Sequence, residues 1–185
     1  MLNNPDRRDI LRVGGLLLAG SLTGFPARAT ENVFDIDMRA NFEGSKVWFD
    51  PIGLLVPRNS TIRWTIRESV HTVTAYHPNN ENHALRIPEN ALSWDSGFLV
   101  NPGDSFSVTL TETGVYDYFC APHEFGGMVG RIIVEDASGP GAKPFDYWRE
   151  GDQSLEWEEV PEMALAAFPS VDAILAKGVV RIGDA

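Results

Sequence analysis

The segment Cys120-Ala-Pro-His123-Glu-Phe-Gly-Gly-Met128 gathers the chain's only cysteine, an imidazole and a thioether within nine residues. Soft sulfur donors combined with imidazole select copper, and two histidines, one cysteine and a weak axial methionine make the ligand set of a blue-copper electron-transfer site. Cys120, His123 and Met128 would supply three of those donors. A second histidine has to come from elsewhere in the chain.

His71, His77 and His83 are the candidates. His71 lies in Ser69-Val-His-Thr-Val-Thr-Ala-Tyr76, an alternating run that reads as a strand able to present a ring rigidly. His77 and His83 flank Pro78-Asn79-Asn80-Glu81-Asn82, a loop-forming composition that predicts surface positions for both. His71 is therefore the expected fourth ligand, on strand context and not on spacing. Each residue also has a plainer reading. Cys120 can be a small buried thiol, His71 a satisfied core histidine, and Met128 ordinary packing returned by the Gly126-Gly127 turn. It is the three ligand types together, at these spacings, that favour a metal.

Further signposts follow in order along residues 45 to 135: Val70-His71-Thr72-Val73, Trp94-Asp95-Ser96-Gly97, Pro102-Gly103-Asp104-Ser105-Phe106, Gly114-Val115-Tyr116-Asp117-Tyr118-Phe119-Cys120 and Gly127-Met128-Val129-Gly130. In these the chain resembles the cupredoxins, the small blue-copper proteins that include plastocyanin, pseudoazurin and halocyanin. The two-residue gap from Cys120 to His123 and the four-residue gap to Met128 are similar to the plastocyanin and pseudoazurin loop. One departure is Thr72, which stands where plastocyanins usually carry an asparagine whose side chain braces the two ligand loops. The resemblance thus leaves that brace without its usual residue. It implies an all-β, Greek-key antiparallel β-sandwich, one copper ion held by His71, Cys120, His123 and Met128, and single-electron transfer.

Four donors leave no coordination position for a substrate, so the expected role is a carrier cycling between Cu(I) and Cu(II). The resemblance further implies that His123 reaches the surface through an apolar patch, here formed by Pro122, Phe125, Gly126 and Gly127, that docks redox proteins such as cytochromes or copper and haem oxidoreductases. Phe125 as a simple loop anchor is the alternative. Two other functions stay open. One is a copper enzyme domain in which Glu124 or water enters the coordination sphere. The other is a copper-binding or delivery protein with His77 and His83 as a weak second site.

The elements that must position these groups are short and alternate with period two. Ile62, Trp64 and Ile66 share one face of a strand while Arg63, Thr65 and Arg67 share the other, and Phe106, Val108 and Leu110 repeat the pattern. Residues 32–39, 46–49, 116–120 and 129–135 read likewise, with turns at Asn101-Pro102-Gly103 and Thr113-Gly114. Such strands bury one face each, and their number predicts an antiparallel sandwich. Trp48, Trp64, Trp94 and Phe106 on these strands are expected in the core, the alternative being a stacking platform.

Residues 30–136 thus form the expected copper domain, and 137–185 a linker with an acidic, partly helical extension. Ala137-Ser-Gly-Pro-Gly141 reads as the linker; Glu150, Asp152, Glu156, Glu158 and Glu159 follow around Tyr147, Trp148 and Trp157. Pro161 suits the start of a helix over 162–168. Ser170 caps a second helix with Val171, Ile174 and Leu175 on one face, and Gly178 ends it. A stripe this short needs a surface to dock on, either the sandwich or a partner.

Residues 1–29 read as an export signal. Arg7-Arg8 resembles the twin-arginine class, an apolar run covers 13–25, and Ala27-Arg28-Ala29 is a small-residue cleavage site. The run is shorter than the about 20 apolar residues a bilayer span needs, so no stable membrane insertion is expected after cleavage; an uncleaved anchor is the alternative. The expected location is the periplasm or the outer side of the cytoplasmic membrane. Cleavage would remove four arginines (Arg7, Arg8, Arg12, Arg28) and two aspartates (Asp6, Asp9), moving the formal charge from −11 to −13. That field disfavours nucleic acid and anionic membrane, and it either steers a basic redox partner or keeps the surface soluble.

Overall fold

The computed structural model describes residues 32–145 and 157–183; the expected export signal and much of the acidic stretch fall outside them. Nine strands occur among the described residues: Val33–Ala40 (β1), Val47–Asp50 (β2), Gly53–Val56 (β3), Ser60–Ile66 (β4), Thr74–Ala75 (β5), Ser105–Leu110 (β6), Gly114–Phe119 (β7), Val129–Val134 (β8) and Val179–Val180 (β9). They form two sheets in the orders β2-β1-β4-β6 and β5-β7-β8-β3-β9. The expected sandwich is present, but its sheets are mixed: β1 runs parallel to β4 and β3 parallel to β8, while the remaining pairs are antiparallel. Turn residues forecast where a chain reverses. They say nothing about which strand lies beside which, and that is where the purely antiparallel expectation departs from the molecule.

The core lies between the sheets. Ile36 and Met38 of β1, Phe49 of β2 and Ile62, Trp64 and Ile66 of β4 face Leu54, Val56, Tyr116, Tyr118, Ile132 and Val134. Trp64 meets the edge of Tyr118 at 5.3 Å between ring centroids, and Phe49 meets it at 4.8 Å. Gly130, paired across from Tyr118, is required there, since a Cβ would lie 2.2 Å from the tyrosine ring. Trp94 is buried as expected, whereas Trp48 is only half-buried.

β7 and β8 are buried along their whole lengths and not on alternate residues. The chain after residue 136 accounts for this by covering their outer face. Glu162–Ala167 (α1) places Ala164 against Tyr76, Phe119 and Val129; Val171–Lys177 (α2) places Ile174 against Ile52, Val115 and Ile133. Ser170 Oγ accepts from the Ala173 amide, Gly178 closes α2, and β9 then adds to the edge of the second sheet beside β3. Of the expected stripe, Ile174 faces inward, Val171 is half-buried and Leu175 is exposed.

A buried ionic cluster ties this covering to the sheet. Asp117 of β7 accepts from Arg131 Nε at 2.7 Å and Nη2 at 3.0 Å, and from Arg86 Nε at 3.1 Å and Nη2 at 3.0 Å. The guanidinium groups donate further protons to backbone carbonyls: Arg131 to Pro169, Arg86 to Pro140, Gly141, Lys143 and Pro144. Buried charges are tolerated when paired and fully hydrogen-bonded, and removing one partner is strongly destabilising. Asp117→Leu is therefore expected to lower unfolding stability by about 3–5 kcal/mol. Urea denaturation reads this as a drop in midpoint; a midpoint like that of the native chain would mean the cluster is not a structural tie.

Candidate metal centre

The ligand-bearing turn starts where β7 ends. Cys120 follows Phe119 directly, and residues Ala121–Gly126 form a 3-10 turn opened by Pro122 and closed by Gly127, whose φ of 80° suits a residue without a Cβ. A Cβ at Gly127 would also lie 3.0 Å from the Met163 carbonyl of α1. The turn folds back on itself: the Cys120 amide donates to the Met128 carbonyl at 3.0 Å and the Met128 amide to the His123 carbonyl at 3.1 Å. Cys120 and Met128 are both fully buried, in one core cluster, while His123 is half-buried.

His71 arrives from the neighbouring loop. The expected strand over 69–76 shrinks to β5, and His71 is held instead by an isolated bridge with Leu99, their amides and carbonyls exchanging bonds at 3.2 and 2.9 Å. Two such bonds fix the backbone from which the ring projects. Cys120 Sγ lies 3.6 Å from His71 Nδ1 and 3.4 Å from His123 Nδ1, and the three ligand atoms are all within 4.8 Å of one another. Separations near 3.5 Å match the edges of a coordination polyhedron with bonds of about 2.0–2.3 Å.

The electrostatics fit the same conclusion. Burial pushes the His71 pKa down to about 4, with neighbouring His123 adding to the shift, and burial lowers that of His123. Burial also pushes the Cys120 thiol up to about 11, against the amides of Thr72 and His123 that favour the thiolate. Lowered pKa values leave the two imidazoles free of the extra proton that would block a metal, as ligand histidines must be. A metal would supply the charge that lets Cys120 ionise.

Thr72 does more than the missing asparagine implied. Its amide donates to Cys120 Sγ at 3.3 Å, and its hydroxyl accepts from the Ala121 amide at 2.8 Å. That hydroxyl also lies 3.1 Å from Thr74 Oγ1, which donates to Asp95 Oδ1 at 3.0 Å. With Thr74 giving its proton to Asp95, Thr72 gives its own to Thr74 and keeps a lone pair for Ala121. A hydroxyl chain therefore braces the ligand loops in place of an amide.

His83 is not a surface residue. It is 1% exposed, with its ring against Phe119 and Nε2 3.2 Å from Glu124 Oε2. His77 is half-buried and its Nδ1 accepts from the Asn79 amide. A second metal site at these two histidines loses His83 to Glu124, and the Glu124 carboxylate is turned to Tyr76 and His83. Nothing in the local composition marks His83, because burial there comes from a loop folding back across β7.

The model of the copper-binding plastocyanin/azurin family matches residues 36–135, and the chain belongs to that family. It is similar to the chloroplast plastocyanin of Tetradesmus obliquus, 28% identical over 116 residues that cover 62% of this chain and 76% of the relative. It is also similar to the plastocyanin of Mercurialis perennis, 43% identical over 49 residues, 26% of this chain and 50% of that one, so the match spans only half of that relative. Among solved structures, a Sinorhizobium pseudoazurin shares the fold with a TM-score of 0.52 at 21% identity, covering 79% of this chain and 95% of that one.

Two outcomes test this geometry in the copper-free protein. A His71 pKa below its ordinary 6.5 adds stability that is complete above 6.5 and lost as the pH falls towards about 4. A Cys120 pKa above its ordinary 9.0 adds stability that is complete below 9.0 and lost as the pH rises towards about 11. Denaturant midpoints measured across pH should show both flanks, and Cys120→Ala should abolish the alkaline one; a flank unchanged by that substitution refutes the assignment. Thr72→Val strands the partly buried Ala121 amide and is expected to cost about 1 kcal/mol, read by thermal unfolding; an unchanged midpoint would show that the hydroxyl chain braces nothing.

Proposed function

We propose that this protein is a single-electron carrier in which His71 Nδ1, Cys120 Sγ and His123 Nδ1 hold one type 1 copper ion and Met128 is its weak axial ligand. The observation that carries this reading is the convergence of two imidazoles and one thiol at a buried end where only His123 is partly exposed. Copper bound there supplies a one-electron couple. His71 and Cys120 exclude solvent from the site, so the half-buried His123 is the route by which an electron enters and leaves.

Exposed apolar side chains lie near that route. Phe125 is 78% exposed two residues after His123, and Val70, Phe98 and Val100 are exposed on either side of the His71–Leu99 bridge. Such a patch suits a small, rapidly released interface of below about 1,200 Å². We assign it to electron-donating and electron-accepting redox proteins, such as cytochromes or copper and haem oxidoreductases, docking around Pro122 and Phe125. The acidic surface favours basic partners over nucleic acid. Membership of the copper-binding plastocyanin/azurin family supports a carrier over an enzyme. No helix of the described residues is long and apolar enough to cross a membrane. The paired arginines, the cleavage-site pattern and the lone cysteine support export to the periplasm.

Copper-loaded protein is expected to show an intense thiolate-to-copper absorption band and a narrow copper hyperfine splitting in EPR, with reversible reduction and oxidation. Cys120→Ser is expected to abolish the band. A pale tetragonal spectrum in the native chain, or a Cys120→Ser variant that keeps the band, refutes the proposal.

A further inference from the structure

Glu124 is the buried residue of the ligand turn, 6% exposed between half-buried His123 and largely exposed Phe125. Its carboxylate points away from the three converging donors. Oε1 accepts from Tyr76 Oη at 2.5 Å, and Oε2 faces His83 Nε2 at 3.2 Å. His83 Nδ1 lies 3.0 Å from the Asn80 carbonyl, and a carbonyl only accepts, so Nδ1 carries a proton. The Tyr76 hydroxyl and the His83 ring are the polar partners that make burial of the Glu124 carboxyl group tolerable. Tyr76 is itself packed against Phe119, Phe145 and Phe168, and its amide donates to the Asp117 carbonyl of β7. The two partners of Glu124 therefore belong to the rigid second sheet and the loop locked onto it, not to the ligand turn.

We infer that Glu124 is a positioning residue for electron transfer: it anchors the turn that carries His123 to Tyr76 and His83, and so sets the placement of His123 relative to Cys120. The turn's own hydrogen bonds run from the Gly127 amide to the Glu124 carbonyl at 2.8 Å and from the Met128 amide to the His123 carbonyl at 3.1 Å. Both end on carbonyls of Glu124 and its neighbour His123, the stretch of the turn that the Glu124 side chain holds from behind. Without that anchor the turn keeps its covalent path from Cys120 to Met128 but loses the buried contact at its centre. This rests on the copper reading above, while half of its test does not need the metal.

Glu124→Ala removes the anchor, Tyr76→Phe removes one of its donors, and Glu124→Gln keeps the shape, accepting from Tyr76 and donating to a neutral His83 Nε2. In the copper-free full chain, hydrogen exchange at the Gly127 and Met128 amides is expected to speed up about tenfold to a hundredfold in Glu124→Ala. Tyr76→Phe should give a smaller effect at the same amides, and Glu124→Gln should stay within about threefold of native, with β8 amides unchanged throughout. In the copper-loaded chain the reduction potential and the thiolate-to-copper band should move in Glu124→Ala and return in Glu124→Gln. Native exchange and native potential in Glu124→Ala overturn the inference. So does faster exchange with native potential and band, which would make the anchor structural alone. Should Glu124→Ala not fold, Tyr76→Phe decides on the same two readouts. A native chain that never shows the band would instead refute the copper reading, leaving the exchange result standing.

Discussion

Cys120 Sγ sits within 3.6 Å of one imidazole nitrogen and 3.4 Å of another, and holding these three groups together in uncharged form is the constraint on which the rest of the molecule depends. In water the histidines would protonate below their ordinary pKa of 6.5; burial lowers that threshold for His71 to about 4, and it holds the thiol protonated up to about 11. Burial in turn demands a closed end to the sandwich. That end is built from a turn hung between β7 and β8, a loop pinned by the Leu99 bridge, and hydroxyls that satisfy the amides between them. The site is thus a product of the sandwich's closure as much as of its ligands.

Closure of the other kind, over the outer face of β7 and β8, is the work of the chain after residue 136. Those two strands carry apolar residues on both faces, and Asp117 and Arg131 between them carry charge. An uncovered outer face would expose Val115, Phe119, Val129 and Ile133 to water. The two short helices, neither long enough to persist alone, gain stability from that face while protecting it. Arg131 of the buried cluster ties the Pro169 carbonyl between the helices to β8, Arg86 holds carbonyls within residues 140–144, and α1 also backs the ligand turn at Gly127. The covering segment and the metal centre therefore share one wall of protein.

Most strands were legible as alternation, and Ile62, Trp64 and Ile66 point inward as their spacing requires. The cap at Ser170 and the stop at Gly178 were legible because local chemistry alone dictates them. The parallel pairings of β1 with β4 and β3 with β8 were not, since strand neighbours are chosen by the packing of whole faces. Two-residue strands such as β5 and β9 carry too little pattern to read. His83 was misplaced for a related reason: its flanking asparagines do form a loop, but the loop returns the ring to the interior against Phe119.

Candidate donors, by contrast, are a matter of residue type and spacing, and Cys120, His123 and Met128 stand out as candidates in the sequence before any fold is known. Ligand chemistry depends on which atoms a side chain carries, and a tight turn keeps close neighbours close. What only the tertiary structure decided is how near the expected His71 comes to Cys120, how the Thr72 hydroxyl bridges the loops, and where Glu124 points. Each is a contact between residues 40 or more positions apart. Their separation in the chain is closed by core packing, and no local pattern encodes it.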